Sequence, residues 1–282
     1  MATLSANDVA LLANLAERGR NDSVARFMRG LAAGDMEIFG GVRPDEIATL
    51  DLSRRFVLYE DFFGTWSIAK AGPQDLFSTT AGAGTATQVA TTVAASLNGE
   101  VTLKSATDNG TNAQNCSMLT GINLGWKANS GGLAFEARVK LDVITDAYLF
   151  VGFTDTISTT VECPIFMTAA DVDSDATNAC GIVFDTNATV DRFTLGGVKA
   201  DVDTVPLIAP VAPVANVYVT LRVEVSPAGA VEGFIDGRSI GTLANAVTVT
   251  TPLTPAIVVG NRSAAQRIVT IDYLKAEQNR VG

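Results

Sequence analysis

The sequence predicts a mainly β fold: two sheets packed as a sandwich, behind a short helical N-terminal arm. Three observations predict it. Apolar and polar residues alternate with a period of two in roughly a dozen short runs between Phe56 and Lys275. Turn signals rich in Gly, Pro, Asn and Asp separate these runs at short spacing. Helical spacing is confined to residues 1–55. No period of about 20–50 residues repeats, which argues against a propeller or solenoid.

In residues 1–55, Ser5-Ala6-Asn7-Asp8 can cap a helix that carries Val9, Leu12, Leu15 and Ala16 on one face. A second helix follows the break at Arg18–Asp22, with Val24, Phe27, Met28 and Leu31 aligned. Short amphipathic helices are marginal alone. This arm is therefore expected either to cap the sandwich or to dock on a partner or a sister chain, with Leu12, Leu15, Phe27 and Leu31 as its contact residues.

The second domain, residues 56–282, opens with the strand Phe56–Phe62. Ala71–Thr92 is rich in Gly, Ala and Thr and reads as a surface loop or weak edge strand; it completes no phosphate-binding motif. Strands are expected at Gly99–Lys104 and Ser117–Leu124. Leu133–Leu141 alternates cleanly, with Glu136, Arg138 and Lys140 outward, and Ala147–Thr154 has the apolar density of a central strand. Residues 155–180 are the least regular. Asp171, Asp173, Asp175 and Asn178 resemble the start of a calcium loop, but Ala176 and Ile182 stand where the EF-hand needs Gly and Glu, so a solvated loop is expected. Gly181–Asp185 and Arg192–Gly196 read as a hairpin, and Lys199–Pro213, with three prolines, as a connector. Tyr218–Val225, Val231–Ile235 and Arg238–Leu243 form a meander, its tip at Asp236-Gly237. After Ala256–Val259, Gly260–Ser263 reads as a turn, and Arg267–Lys275 is the last strand.

Composition narrows the chemistry. Net charge is −10 over 282 residues, which argues against binding a phosphate backbone. There is no histidine, so the commonest general base and zinc ligand are missing, and with them Ser-His-Asp and Cys-His nucleophiles. No catalytic residue, cofactor or metal ligand is assigned. Glu136, Glu224 and Glu232 look isolated on separate strands, each a solvated-face residue, so no enzyme is expected. Cys116, Cys163 and Cys180 are widely spaced and read as buried apolar residues. No apolar run reaches the roughly 20 residues of a membrane span. Met1–Asp8 lacks a basic-then-apolar pattern, so the expectation is folding in a cytoplasm.

Four segments together carry a resemblance: Phe135–Val139, Leu149–Asp155, Gly181–Asp185, and Val231–Gly237 with its terminal partner Val269–Leu274. In this order they resemble a concanavalin-like (lectin or laminin-G type) jelly-roll sandwich over about residues 56–276. Leu253–Ser263 and Ile271–Ala276 are similar to the closing strands of head-decoration and fibre domains of tailed bacteriophages. That resemblance implies a virion protein made in a host cytoplasm, a homotrimer that binds the major capsid protein on the outer capsid surface. The alternative is a glycan-binding module of a tail or head fibre that meets host-surface glycans, with Trp66, Trp126, Tyr148, Asp171, Asp173 and Asn178 as candidates. The Glu-x-Asp-x-x-Glu strand of glycosidases on this fold does not occur.

Overall fold

The computed structural model describes residues 55–62, 77–81, 91–92, 99–106, 116–157 and 163–279. The expected N-terminal arm, with Leu12, Leu15, Phe27 and Leu31, and the candidate Trp66 lie outside the described residues.

The described residues form two large antiparallel sheets. The strands in chain order are β1 (Arg55–Glu60), β2 (Phe77–Ala81), β3 (Thr91–Thr92), β4 (Val101–Lys104), β5 (Ser117–Gly121), β6 (Leu133–Leu141), β7 (Ala147–Thr154), β8 (Phe166–Thr168) and β9 (Asp171–Asp173). They continue with β10 (Asn178–Asp185), β11 (Thr194–Lys199), β12 (Val202–Asp203), β13 (Leu207–Ile208), β14 (Val219–Val225), β15 (Val231–Ile235), β16 (Arg238–Leu243), β17 (Thr254–Asn261) and β18 (Ile268–Asn279). The front sheet runs β16-β15-β14-β6-β18-β4-β3, with β1 also on β18. The back sheet runs β12-β11-β10-β7-β17-β5-β2, with β13 also on β11. Among the described residues no helix is long and apolar enough to cross a membrane.

Alternation decides which face of each strand is buried. In β6, Leu133, Phe135, Ala137, Val139 and Leu141 point into the space between the sheets. Leu221, Val223 and Val225 of β14 and Val231 and Ile235 of β15 meet them, as do Leu149, Val151 and Phe153 of β7. The back sheet is buried on both faces, so β7, β10 and β17 are buried along their whole length and mostly apolar, with polar residues confined to their ends. Its outer face is covered by the Cys163–Ala176 flap, which contains the β8–β9 hairpin and adds a second core of Ile165, Met167 and Val172 over Met118, Phe150 and Val258.

The β14–β16 meander matches the expectation, and Asp236 and Gly237 both take positive φ at its tip, 47° and 74°. β10 and β11 pair as expected, although β10 starts at Asn178, inside the stretch read as irregular. The Ala71–Thr92 stretch supplies β2 and β3, each at a sheet edge. Three expectations are corrected. Gly260-Asn261 is not a turn: both residues pair with β7 as the end of β17. The connector after Lys199 holds two short strands, β12 and β13, laid on the free edge of β11. The strict alternation read into the last strand fails at a bulge between Ile271 and Tyr273, where Asp272 is the extra residue. Val269 and Ile271 face the core before it, Leu274 and Ala276 after it.

Candidate functional site

The front sheet turns its second face away from the core, and that face collects the charges. Cross-strand register assembles it row by row. One row reads Phe234 (β15), Arg222 (β14), Glu136 (β6), Lys275 (β18) and Tyr59 (β1). The adjacent row reads Thr242 (β16), Glu232 (β15), Glu224 (β14), Ala134 (β6), Glu277 (β18) and Val57 (β1). On the other side of the first row lie Thr220, Arg138 and Tyr273.

These side chains are tied to one another. Arg222 Nε donates to Glu224 Oε1 at 2.7 Å, and its Nη1 lies 3.5 Å from Glu136 Oε2. Burial alone lowers the Arg222 pKa, but the hydrogen bond to Glu224 and the charges of Glu224 and Glu136 outweigh it and raise the value. Tyr273 Oη donates to Glu136 Oε1 at 3.0 Å. Burial, then Glu136, push the Tyr273 phenol well up. Lys275 pairs with Glu277, and Ser239 Oγ donates to Glu232 Oε1 at 2.6 Å. Toward the other end Arg138 pairs with Asp272, and the Arg138 guanidinium lies 4.3 Å from the centre of the Tyr218 ring. Tyr218 also donates to Glu100.

The row that contains Ala134 is the low one. A methyl group there stands between Glu224 and Glu277, and the sheet surface dips. The resulting hollow, about 360 Å³, is lined by Ala134, Arg222, Glu224, Glu232, Thr242 and Glu277, with Gly131, Gly132 and Pro227 at its end. One and two rows away on the same face, Tyr59 and Tyr273 lie with ring centres 6.2 Å apart, and Tyr59 is 38% exposed. The hollow therefore offers carboxylate acceptors, one guanidinium and a hydroxyl, and the same face carries an aromatic pair farther along. Such a set can hydrogen-bond hydroxyl groups and pack a flat apolar ring face.

Glu136, Glu224 and Glu232 are thus not isolated, as the sequence suggested. β6, β14 and β15 are neighbours, Glu224 faces Glu232 directly, and Arg222 links Glu136 to Glu224. The glycan candidates read from the sequence are not brought together. Trp126 is a core residue, 1% exposed, whose indole N–H reaches the carbonyls of Gly121 and Ile122 at 3.2 and 3.1 Å. Tyr148 is fully buried under the flap and donates to the Ile165 carbonyl at 2.6 Å. Asn178 is buried and holds the loop ends at Asp155 and Ala200. Asp171 and Asp173 are the two exposed ends of β9. Among the described residues no group of three His, Cys, Asp or Glu is placed to hold a metal ion. Sequence reasoning missed Tyr59, Tyr273 and Glu277. For Tyr59 the outward phase was the only signal, and it names no neighbours. Strict alternation puts Tyr273 in phase with the core-facing Val269 and Ile271, and only the bulge at Asp272 turns it outward, while Glu277 lies beyond the strand as read.

No protein-family model matches the chain, and no curated protein matches it. Solved structures do. A protein of unknown function from Shewanella oneidensis MR-1 superposes with a TM-score of 0.54 at 12% identity, over 86% of this chain and 97% of the other. An endo-acting O-glycanase of the human gut microbiota gives 0.52 at 9%, over 80% and 99%. The Bacillus licheniformis β-glucanase gives 0.50 at 14%, over 80% and 98%. At these identities the likeness establishes the fold. It is a concanavalin-like jelly-roll sandwich, as the resemblance of the four segments implied.

Proposed function

We propose that the chain is a carbohydrate-binding module and that the hollow around Ala134 is its ligand site. The observation that carries this reading is the hollow itself: hydrogen-bonding side chains from three adjacent strands, plus Glu277 of β18, converge on one depression, on the face that also carries the Tyr59–Tyr273 pair. The fold is also that of a β-glucanase and an O-glycanase, proteins that handle sugars. Three carboxylates against one guanidinium line the hollow, which favours neutral or amino sugars over uronic or sialic acids. Because the carboxylates are engaged by Arg222, Lys275 and Ser239, they serve as fixed acceptors that orient hydroxyl groups.

A glycan array that spans neutral, amino and acidic oligosaccharides tests the reading, followed by titration calorimetry on the best ligand. The expected result is binding to neutral or amino glycans that weakens at least about tenfold in Glu224→Ala and Glu232→Ala, with the melting temperature held. An empty array, or binding untouched by both substitutions, overturns it. Hydrolysis of the bound glycan would replace a binding module with an enzyme. Capsid decoration by a homotrimer, the other reading, is tested in parallel by adding the full chain to shells that lack it.

A further inference from the structure

We propose that Cys116 and Cys163 form an oxidation site that closes into an intrachain disulfide and clips the Cys163–Ala176 flap to the back sheet. The two residues are 47 positions apart in the sequence, yet their sulfurs lie 2.8 Å from each other. Both are buried, each 1% exposed. Cys116 directly precedes β5, and Cys163 is the first residue of the flap, so a bond between them adds a covalent link between β5 and the flap that packs over it. Gly260 of β17 keeps the place open: a Cβ there would stand 2.6 Å from Cys116 Sγ.

A metal knuckle is the rival use of two adjacent thiols. It would need further ligands, and the sequence holds no histidine. The third thiol, Cys180, sits in the core between the sheets, whereas Cys116 and Cys163 belong to the core under the flap. It therefore serves as an internal control.

The step balances with a small disulfide such as oxidised glutathione as oxidant. One protein thiolate attacks the glutathione disulfide, forms a mixed disulfide and releases one glutathione thiol. The second protein thiolate attacks the protein sulfur of that intermediate and releases the other glutathione. Two S–H bonds and one S–S bond break, one protein S–S bond forms, and the two electrons and two protons end on glutathione. Burial, then the hydrogen bond with Cys116, push the Cys163 thiol well up, so the folded thiol is a poor nucleophile. Closure is accordingly fast while the chain folds and slow once the flap is seated. The finished bond is screened from reductant by the same burial.

The test uses the full chain, refolded from denaturant with either oxidised or reduced glutathione, then unfolded, labelled with N-ethylmaleimide and weighed intact. Oxidative refolding is expected to leave one labelled cysteine, Cys180, and one cross-linked peptide pair containing Cys116 and Cys163. Reductive refolding leaves three labels. The oxidised form should melt higher by roughly 5–15 °C, because the bond closes a long loop in the unfolded chain. Cys163→Ser should abolish the redox-dependent shift, and Cys180→Ser should keep it. Three labels after oxidative refolding, a stable glutathione adduct, or a bond through Cys180 would each overturn the proposal. The label count and the cross-linked peptide pair of the parent chain are independent of whether Cys163→Ser folds and of any glycan.

Discussion

Arg262 grips Asp185 through two of its nitrogens in a place where neither side chain meets solvent, 3% and 0% exposed. Arg262 Nε to Asp185 Oδ1 is 2.8 Å. The carboxylate also takes the backbone N–H groups of Met167 and Asn187, both at 3.0 Å. One pair thus ties the ends of β10 and β17 to the flap. Burial lowers the Arg262 pKa, but the hydrogen bond to Asp185 and its charge more than reverse this. Arg262→Met leaves a buried carboxylate unpaired and should cost about 3–5 kcal/mol in denaturant unfolding. Replacing both residues, as Asp185→Leu with Arg262→Met, should cost less than the single change, because no unpaired charge remains.

The four tyrosines give the protein an alkaline limit. Burial raises all four phenols above their usual value. The Cys163 and Cys116 neighbours add to it at Tyr148, Glu100 at Tyr218, Glu136 at Tyr273 and Asp61 at Tyr59. Above pH 10 or so the unfolded chain releases these protons while the folded chain keeps them, so stability falls as pH rises. The stabilisation is fully present below the unfolded value. Tyr148, which is wholly buried, accounts for about 1.4 kcal/mol per pH unit in that window. Tyrosinate absorbance of the native protein should lag behind that of the chain in denaturant, and its rise should coincide with loss of the β-sheet circular-dichroism signal.

Gly152 and Gly181 face each other across β7 and β10. A Cβ on Gly181 would come within 2.5 Å of the Phe150 ring, and one on Gly152 within 2.2 Å of the Cys180 carbonyl oxygen. Gly181→Ala should therefore destabilise by about 1–3 kcal/mol despite adding only a methyl group. A lowered denaturant midpoint at constant slope is the expected measurement.

Trp126 separates core from ligand site. Its ring meets Phe56 at 5.3 Å and Phe153 at 6.5 Å, deep in the sandwich. Trp126→Ala should cost about 3–5 kcal/mol in unfolding. Below its melting point the variant should bind any glycan as the parent does, whereas a sugar-stacking tryptophan would lose the ligand first.

A ridge of exposed apolar side chains follows β11. Val202, Val205, Ile208, Val211, Val214 and Val217 recur every third residue, at 42–84% exposure. Three prolines, Pro206, Pro210 and Pro213, lie among them. Val205→Ser and Val214→Ser should change the unfolding free energy by no more than about 0.5 kcal/mol, since neither side chain is buried.

Much of the fold was legible in the chain because strand alternation is local. Leu133–Leu141 and Ala147–Thr154 have the expected bounds, and so do Val231–Ile235 and Arg238–Leu243 around the Asp236-Gly237 tip, while the first strand of the meander starts at Val219 rather than Tyr218. The bulge at Asp272 was not legible, since a bulge arises from the register between β18 and β6 and leaves the composition of either strand unchanged. The candidate site was legible in part, because strand phase is local and strand adjacency is not. The outward phase of Glu136, Arg222, Glu224 and Glu232 is written in their own strands.

By itself, then, the sequence determined that this is a layered β protein and, outside the bulged last strand, which side of each alternating strand faces the core, because burial of alternate residues needs nothing beyond the strand. Only the tertiary structure decided which strands lie side by side. That choice set Glu224 opposite Glu232, brought Tyr59 against Tyr273, and carried Cys163 across 47 residues to Cys116. Pairing between distant segments is fixed by the packing of the whole sandwich, and no window of the chain contains it.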